Sequence, residues 1–404
     1  MTKLRVVVTG LGPVTSIGTG KSEFWSNLIA GRSGISEVTQ FDTARYKRHF
    51  GGEIKDFNPA EYLPQQTVQY VGRASQLGVA AAKLALADAG INAEALKGRR
   101  AAVFMGVTIP ESGLIDHSSQ EIFFKRKKNI HRRSLLNINA PSIARDISHF
   151  TGAGPINVLI PNACGAGNYS IAYGYDLIRS GQVDIAVVGG AESLSRVAFQ
   201  GFQTMRAMAD RVCAPFDKNR QGMLLGEGSG ILIIEDLGRA LARGARIYAE
   251  VLGYGASCDA FNMTIPSQEG VYKAMKKAVD NSNINSDKID YISAHGTGTI
   301  ANDKNEAAAI RELLGKNYKD TPVSSIKSML GHTMGAASAI EAISCCLAIE
   351  NGIVPPTINF QTADPDCAID CVPNKARGAK VDVALNNGFA FGGNNCCVVF
   401  RKKN

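Results

Sequence analysis

One cysteine lies among small residues that leave room for chemistry. Cys164 follows the apolar run "INVLI" and stands in "NACGAG", directly before the helical pattern "NYSIAYGYDLIRSG". A thiol at the N-terminus of a helix is close to backbone N–H groups and to the positive end of the helix dipole, which favour the thiolate. The usual alternative is a buried structural cysteine, but the Gly and Ala neighbours favour a nucleophile.

Two histidines and a lysine are the candidate partners of this thiol. His295 in "SAHGTGT" and His332 in "KSMLGHTMGA" each follow a short predicted strand. Lys327 lies just before His332, and Asp303 or Glu306 could either pair with this lysine or cap a helix. The thiol could hold an acyl group as a thioester, while neutral imidazoles that donate from Nε2 stabilise an enolate formed by loss of CO2. Attack of the carbanion on the acyl-cysteine would form a carbon–carbon bond.

The elements that must position these residues occur twice along the chain. Residues 73–108 and 269–299 both have the pattern of helix, loop, buried strand and polar exit. Each of these segments is followed by a strand, a turn and a helix, and then by a further strand that ends at a pair of Gly residues. In the first half, "INVLI" is predicted to be a buried strand. We predict an α/β fold of two similar halves, residues 1–244 and 245–404, with mostly parallel sheets and helices outside. The active residues should lie at the carboxyl ends of strands, where the halves face each other.

Composition makes several other classes of protein improbable. The chain has 404 residues, of which 45% are hydrophobic and 20% charged, as in globular proteins. We expect no signal peptide, because the N-terminal apolar run is short and broken by Gly, and no membrane span, because no apolar stretch approaches 18 residues. Nine cysteines without a secretory signal predict a reducing cytoplasm, and their spacings do not match a zinc site, so we predict no metal. The net charge of +8, without basic residues interleaved with aromatics, favours an acidic protein partner over nucleic acid.

The order of the motifs resembles that of one family. "NACGAG", "APFDKNRQGMLLGEGSG", "HGTGT", "KSMLGH" and "FAFGGNN" succeed one another as in the β-ketoacyl-[acyl-carrier-protein] synthases of the condensing-enzyme family. The resemblance covers essentially the whole chain and is greatest to elongating synthases of type II fatty-acid and polyketide pathways. It implies a thiolase-like fold with a layered α-β-α-β-α core. It also implies an acyltransferase that condenses an acyl chain on cysteine with malonyl-acyl-carrier protein, with loss of CO2.

The resemblance gives each matched residue an expected role in catalysis. Cys164 would accept the acyl group, and His295 and His332 would serve decarboxylation and condensation. Lys327 and Glu306 would form a supporting charged pair that orients the histidines.

Other matched residues would bind the substrate. The backbone N–H groups of Cys164 and Phe391 would form an oxyanion hole, and Phe391 would also be a gate between the two half-reactions. Thr297 and Thr299 would hydrogen-bond the phosphopantetheine arm. The resemblance implies no metal and no cofactor other than the phosphopantetheine on which the carrier protein holds the substrates.

Partners also follow from the resemblance. Arg206 matches a position that meets the acyl-carrier protein, whereas Arg73 and the run from Lys125 to Arg133 are weaker candidates. A dimer is expected, with the strand after "DIAVV" and its neighbours at a two-fold interface. The second subunit is either another copy of the chain or a Cys-lacking paralogous chain-length subunit.

Departures from the family pattern leave the pathway open. Asn162 stands where Thr is usual, and Ala390 replaces a Gly of the gating loop, which should restrict its backbone. These departures favour a specialised polyketide or polyene pathway over housekeeping fatty-acid elongation. A thiolase acting on coenzyme A esters would use a second cysteine near the C-terminal Gly pair and would lack the Lys-before-His motif. Here Phe391 precedes that pair, and Lys327 lies before His332. A non-catalytic chain-length subunit would lack Cys164.

Overall fold

A long mixed sheet organises the chain. The computed structural model describes residues 4–92, 96, 100–126, 132–139 and 141–403. The strands of the main sheet are β1 (Val6–Thr15), β2 (Gly18–Thr19), β5 (Ala101–Gly106), β6 (Ile156–Ile160), β7 (Ile185–Glu192), β8 (Gly228–Asp236), β9 (Ala249–Cys258), β10 (Tyr291–Ser293), β11 (Val323–Ser324), β14 (Val383–Phe389) and β15 (Asn394–Arg401). Two small sheets pair β3 (Ser36–Glu37) with β4 (Phe50–Gly51) and β12 (Ile353–Val354) with β13 (Arg377–Gly378).

Helices connect and cover these strands. In chain order they are α1 (Lys21–Ile29), α2 (Gln65–Val68), α3 (Arg73–Asp88), α4 (Ser112–Phe123), α5 (Arg132–Asn137), α6 (Ser142–Thr151), α7 (Ala166–Arg179), α8 (Arg196–Thr204), α9 (Leu237–Ala242), α10 (Gln268–Asn281), α11 (Ile300–Leu314), α12 (Lys327–Leu330) and α13 (Ala337–Asn351). None of the helices in the described ranges is long and apolar enough to cross a membrane.

The order of the strands shows two matching halves. One half has the order β6-β5-β7-β8-β1 and the other β11-β10-β14-β15-β9. The two meet where the first residues of β1 pair with the start of β9. In both halves the chain passes through the corresponding strands in the same sequence, so the internal repeat that the sequence predicts is present in the fold.

The halves stack into five layers. Helices α7 and α13 contact strands of both halves, so they form the central layer. Every residue of α13 from Ala337 to Ile349 is buried, which explains why its sequence is apolar on all sides. Helices α3 and α6 cover the outside of the first half, and α10 and α11 cover the second. The predicted α-β-α-β-α core is confirmed.

The prediction of mostly parallel sheets is wrong. Among the strands that the structure describes, the parallel pairs are β5 with β6 and β7, and β10 with β11 and β14. Strand β15 is antiparallel to β14 because the loop 390–393 between them is too short for a parallel crossover. Strand β8 runs back along β7 because residues 193–227 stay at the carboxyl end of β7.

The outer strand of the first half also differs from the prediction. "INVLI" forms β6, but Ile156 and Val158 are each 39% exposed. The reason is that β6 is the last strand of the sheet, with no described strand on its outer side. The strand after "DIAVV" is β8, which is hydrogen-bonded on both sides by β7 and β1. It therefore has no free edge to offer to a partner subunit.

Candidate active site

Most of the predicted site residues line one pocket between the two halves. They are Cys164, His295, Thr297, Thr299, His332 and Phe391. Cys164 follows β6, His295 follows β10, His332 follows β11 and Phe391 follows β14. The carboxyl ends of corresponding strands therefore supply the pocket from both halves, as the sequence predicts.

A strained turn sets the position of the thiol. Ala163 has a left-handed φ of 48° and begins a short 3-10 turn, Ala163–Gly165, directly before α7. The other half repeats this turn after His332, where Met334 has a φ of 47°. Non-glycine residues rarely adopt this conformation, and where they do the strain is commonly at a functional site.

Small residues place this corner in the middle of the molecule. A Cβ atom on Gly167 would lie 2.6 Å from the backbone nitrogen of Ala339 on α13. The next N–H of α7, that of Asn168, donates to the Ser338 hydroxyl at 2.9 Å. Glycine is therefore required where the two central helices approach each other, which explains the spacing of small residues in "CGAG".

The protonation of Cys164 differs from the sequence-based expectation. Burial raises the pKa of its thiol to about 12, although nearby Lys327 and the backbone N–H groups of Phe391 and Cys164 itself oppose this rise. Loss of water thus opposes the thiolate that the helix N-terminus favours. The two N–H groups nonetheless point towards the sulfur, as an oxyanion hole beside it requires.

The structure fixes the tautomer of His332. The N–H of Met334 donates to Nδ1 at 3.1 Å, so in the neutral ring the proton is on Nε2. Nε2 is buried and has no partner among the described residues. Burial, together with the Lys327 charge, lowers the pKa of His332 well below its usual value. The ring is therefore a neutral donor aimed into the pocket.

Lys327 fixes His295 in the same way. Its ammonium donates to the carbonyl of His295 at 2.7 Å and lies 3.5 Å from Nδ1. Because an ammonium can only donate, Nδ1 is the acceptor and Nε2 has the proton. Burial, then Lys327 and His332, lowers the pKa of His295 well below its usual value. The two imidazole rings lie 5.4 Å apart and nearly perpendicular.

The predicted pair of Lys327 with Glu306 is wrong. The ion pair of Lys327 is with Glu341 on α13, and both side chains are only 2% exposed. Glu306 instead accepts the backbone N–H groups of His295 and Gly296 at 2.8 and 2.7 Å. It thus holds the histidine loop through its backbone.

Sequence reasoning missed Glu341, although a signal for it exists. Glu341 is a lone charged residue in the apolar run "MGAASAIEAISCCLAI", and a charge in a fully buried helix needs a partner. Burial raises the pKa of Glu341 to about 7, against the effect of Lys327. Asp303 does not contact Lys327 either; it accepts the N–H groups of Phe216 and Gly298.

The loop after β14 closes one side of the pocket. The ring of Phe391 stacks on Phe202 with centroids 5.9 Å apart. The left-handed residues of this loop are Gly392 and Gly393, with φ of 83° and 77°. Ala390 does not have a left-handed φ. The alanine that replaces the usual Gly of the gating loop is therefore accommodated without backbone strain. The N–H of Gly392 donates to the carbonyl of Met263, on the opposite rim.

The candidate docking residues differ in availability. Arg206 is exposed, has a left-handed φ of 55°, and makes no ion pair with any residue that the structure describes. Arg73 pairs with Glu227, a fully buried carboxylate, so its guanidinium is already engaged within the fold. In the run from Lys125 to Arg133, residues 127–131 lie outside the described residues, and Lys125 pairs with Glu121.

Two family models match the chain in succession. "Beta-ketoacyl synthase, N-terminal domain" matches residues 3–240, and "Beta-ketoacyl synthase, C-terminal domain" matches residues 248–361. The chain belongs to the β-ketoacyl synthase family. Its predicted family, enzyme class and fold class are confirmed.

Relatives of this family match the chain from end to end. A 3-oxoacyl-[acyl-carrier-protein] synthase 2 of Synechocystis sp. is 37% identical over 411 residues, covering 99% of this chain and 98% of the relative. The solved ishigamide ketosynthase/chain length factor has a TM-score of 0.96 at 45% identity, with 100% of both chains covered. A chain from the solved complex of a type II PKS acyl-carrier protein with its ketosynthase bound to the hexaketide has a TM-score of 0.90 at 32% identity, again with 100% of both chains covered.

Proposed function

We propose that this protein condenses an acyl chain held on Cys164 with a malonyl thioester on an acyl-carrier protein, with loss of CO2. One observation supports this above all: a buried thiol shares a pocket with two neutral imidazoles whose Nε2–H groups have no hydrogen-bond partner in the part of the chain that the structure describes. A thiol alone would serve many acyl transfers. The pair of imidazole donors suits stabilisation of an enolate.

The first half-reaction loads the cysteine. The Cys164 sulfur attacks the thioester carbonyl of an acyl-carrier protein, and the N–H groups of Cys164 and Phe391 stabilise the developing oxyanion. The carbon–sulfur bond to the carrier then breaks. The proton of the cysteine thiol ends on the released carrier thiol, so the step needs no other reactant.

The second half-reaction forms the carbon–carbon bond. The malonyl thioester oxygen accepts the Nε2–H groups of His295 and His332, and loss of CO2 leaves an enolate that these donors stabilise. The enolate carbon attacks the acyl group, and the bond to Cys164 breaks after a second tetrahedral intermediate in the oxyanion hole. The cysteine takes a proton from solvent and the product is a β-ketoacyl-carrier protein. Low histidine pKa values favour this reaction because a charged imidazolium would bind the malonyl carboxylate and retain it.

A specialised type II polyketide or polyene pathway is the proposed setting. The structural match to the ishigamide ketosynthase/chain length factor has higher identity, 45%, than the 37% to the Synechocystis 3-oxoacyl synthase. The second candidate function is fatty-acid elongation, which the name of that synthase supports. A cytoplasmic location is also proposed, since all nine cysteines are free.

The proposed partners are an acyl-carrier protein and a second subunit. The free edge of β6 has the exposed side chains of Ile156 and Val158, and Tyr173 of α7 is 53% exposed. An apolar sheet edge of this kind is suited to pairing with another chain. The second subunit is either a copy of this chain or a Cys-lacking paralogue.

Mass measurement of the carrier protein tests the proposed reaction. The protein is incubated with malonyl-carrier and a panel of acyl-carriers, and the intact mass of the carrier is followed. We expect the acyl group to grow by a ketide unit, with release of CO2 and no added cofactor. Condensation of acetyl-coenzyme A without malonyl-carrier would indicate a thiolase instead.

Arg206→Glu is expected to raise the KM for carrier-bound substrate. The exposed guanidinium is free to meet an acidic carrier, and reversing its charge turns attraction into repulsion. The effect should weaken as salt rises, because charges are screened beyond about 10 Å at roughly 0.1 M salt.

Arg239→Glu is the matched control for this change. Arg239 is also exposed, but it lies by Asp184, at the end of β7 opposite to the pocket. The Arg239→Glu change should leave the KM for carrier-bound substrate unchanged. The Arg206→Glu change should leave the turnover of a small thioester surrogate unchanged. Equal loss of activity towards carrier and surrogate would place Arg206 in the active site instead.

A further inference from the structure

Asn302 lines the same pocket and has no role in the steps described above. It lies in the first turn of α11, and its side chain is buried. Its neighbours in the pocket wall are Thr297 and Thr299. The N–H and C=O groups of a buried amide are normally hydrogen-bonded. A group of the amide that has no partner in the protein is therefore available to a ligand in the pocket.

The two N–H groups of the Asn302 amide are both occupied. Nδ2 donates to Asp303 Oδ1 at 3.1 Å and to Glu306 Oε2 at 3.3 Å. Carboxylates only accept, so the amide nitrogen must face them and the orientation of the group is fixed. Its carbonyl oxygen accepts no hydrogen bond from the described residues. Asn302 therefore offers one acceptor.

The adjacent threonines offer one donor. Their hydroxyl oxygens lie 2.8 Å apart, so one hydroxyl donates to the other and one hydrogen is left. Thr299 is the N-cap residue of α11, a position where a hydroxyl commonly accepts a helix N–H. The Thr299 hydroxyl makes no such bond here, and Thr299 lines the pocket. The wall thus has one O–H donor next to one C=O acceptor.

We propose that Asn302 Oδ1 accepts the N–H of a secondary amide in the substrate arm while a threonine hydroxyl donates to a carbonyl of the arm. A secondary amide has one donor and one acceptor, which complement this wall. The inference rests on the proposed function, in which pantetheine, a chain containing secondary amides, delivers the malonyl group. Asn302 would then be a substrate-binding residue that sets the depth of the arm.

The test replaces the donor on the substrate and the acceptor on the protein in turn. Malonyl-pantetheine is compared with analogues in which each amide N–H is replaced by an ester oxygen, using acyl-loaded enzyme. The wild type should lose about threefold to tenfold in kcat/KM with one of these esters, the usual worth of a neutral hydrogen bond. Asn302→Ala should show a similar loss with the amide, mainly in KM, and no further loss with that ester.

Controls separate this role from a structural one. Asn305→Ala removes the other asparagine of α11, whose amide donates to the Pro266 carbonyl, and should keep the full ester penalty. Alkylation of Cys164 by iodoacetamide should be unchanged in Asn302→Ala, and Asn302→Ser serves if the alanine variant folds poorly. If replacing the amide by the ester lowers kcat/KM as much in the Asn302 variants as in the wild type, the inference is wrong. Wild-type enzyme that condenses neither malonyl-pantetheine nor malonyl-carrier would instead refute the proposed function itself.

Discussion

Cys164→Ala is expected to abolish acyl loading and condensation while leaving the fold intact. The backbone N–H groups of Phe391 and Cys164 are directed at this thiol, which can form a thioester. Alanine is smaller and apolar, so the buried corner between β6 and α7 should tolerate it. Intact mass of the protein after incubation with acyl-carrier measures the loading, and carrier mass measures the condensation.

Cys164→Gln is the informative companion to this change. It removes the nucleophile but leaves both imidazole donors, so decarboxylation of malonyl-carrier should continue without condensation. Release of CO2 and formation of acetyl-carrier measure that partial reaction. Retained turnover in Cys164→Ala, with acylation at one of the other cysteines, would show that the nucleophile lies elsewhere.

His295→Ala and His332→Ala should each lower the condensation rate on the order of 10² or more, as expected when an oxyanion donor is lost. Both rings are buried neutral donors, and each is oriented by its own group: Lys327 for His295, and the Met334 N–H for His332. One cannot replace the other because their rings are nearly perpendicular. Single-turnover condensation from acyl-loaded enzyme isolates this step from loading.

The decarboxylation assay in the Cys164→Gln background gives these changes a second readout. Adding either histidine change to it should also reduce release of CO2, whereas acylation of Cys164 in the single variants should be affected less. Since burial lowers both histidine pKa values, their protonation should not reduce activity as the pH falls from 7.5 towards 6.5. Near-normal condensation in either single variant would remove that histidine from the mechanism.

The sequence by itself determined the family, the repeat and the chemistry-bearing residues. These features are local. A thiol between an apolar run and a helix, or a histidine after a short strand, is visible in a few consecutive residues, as with Cys164 and His295. The repeated order of helix and strand then predicts that equivalent strand ends meet, because strands of a sheet share their edges. Domain limits at residues 244 and 245 stay a prediction.

Only the tertiary structure decided which groups are partners and what state they are in. Lys327 pairs with Glu341 and not with Glu306, because α13 passes through the central layer beside the lysine. Burial between the two halves raises the pKa of the Cys164 thiol, against a helix start that by itself favours the thiolate. Asn302 became a candidate ligand-binding residue only when two carboxylates were seen to occupy its N–H groups. Burial and contacts between distant segments set each of these outcomes, and a local signal such as the lone charge of Glu341 does not show which residue is its partner.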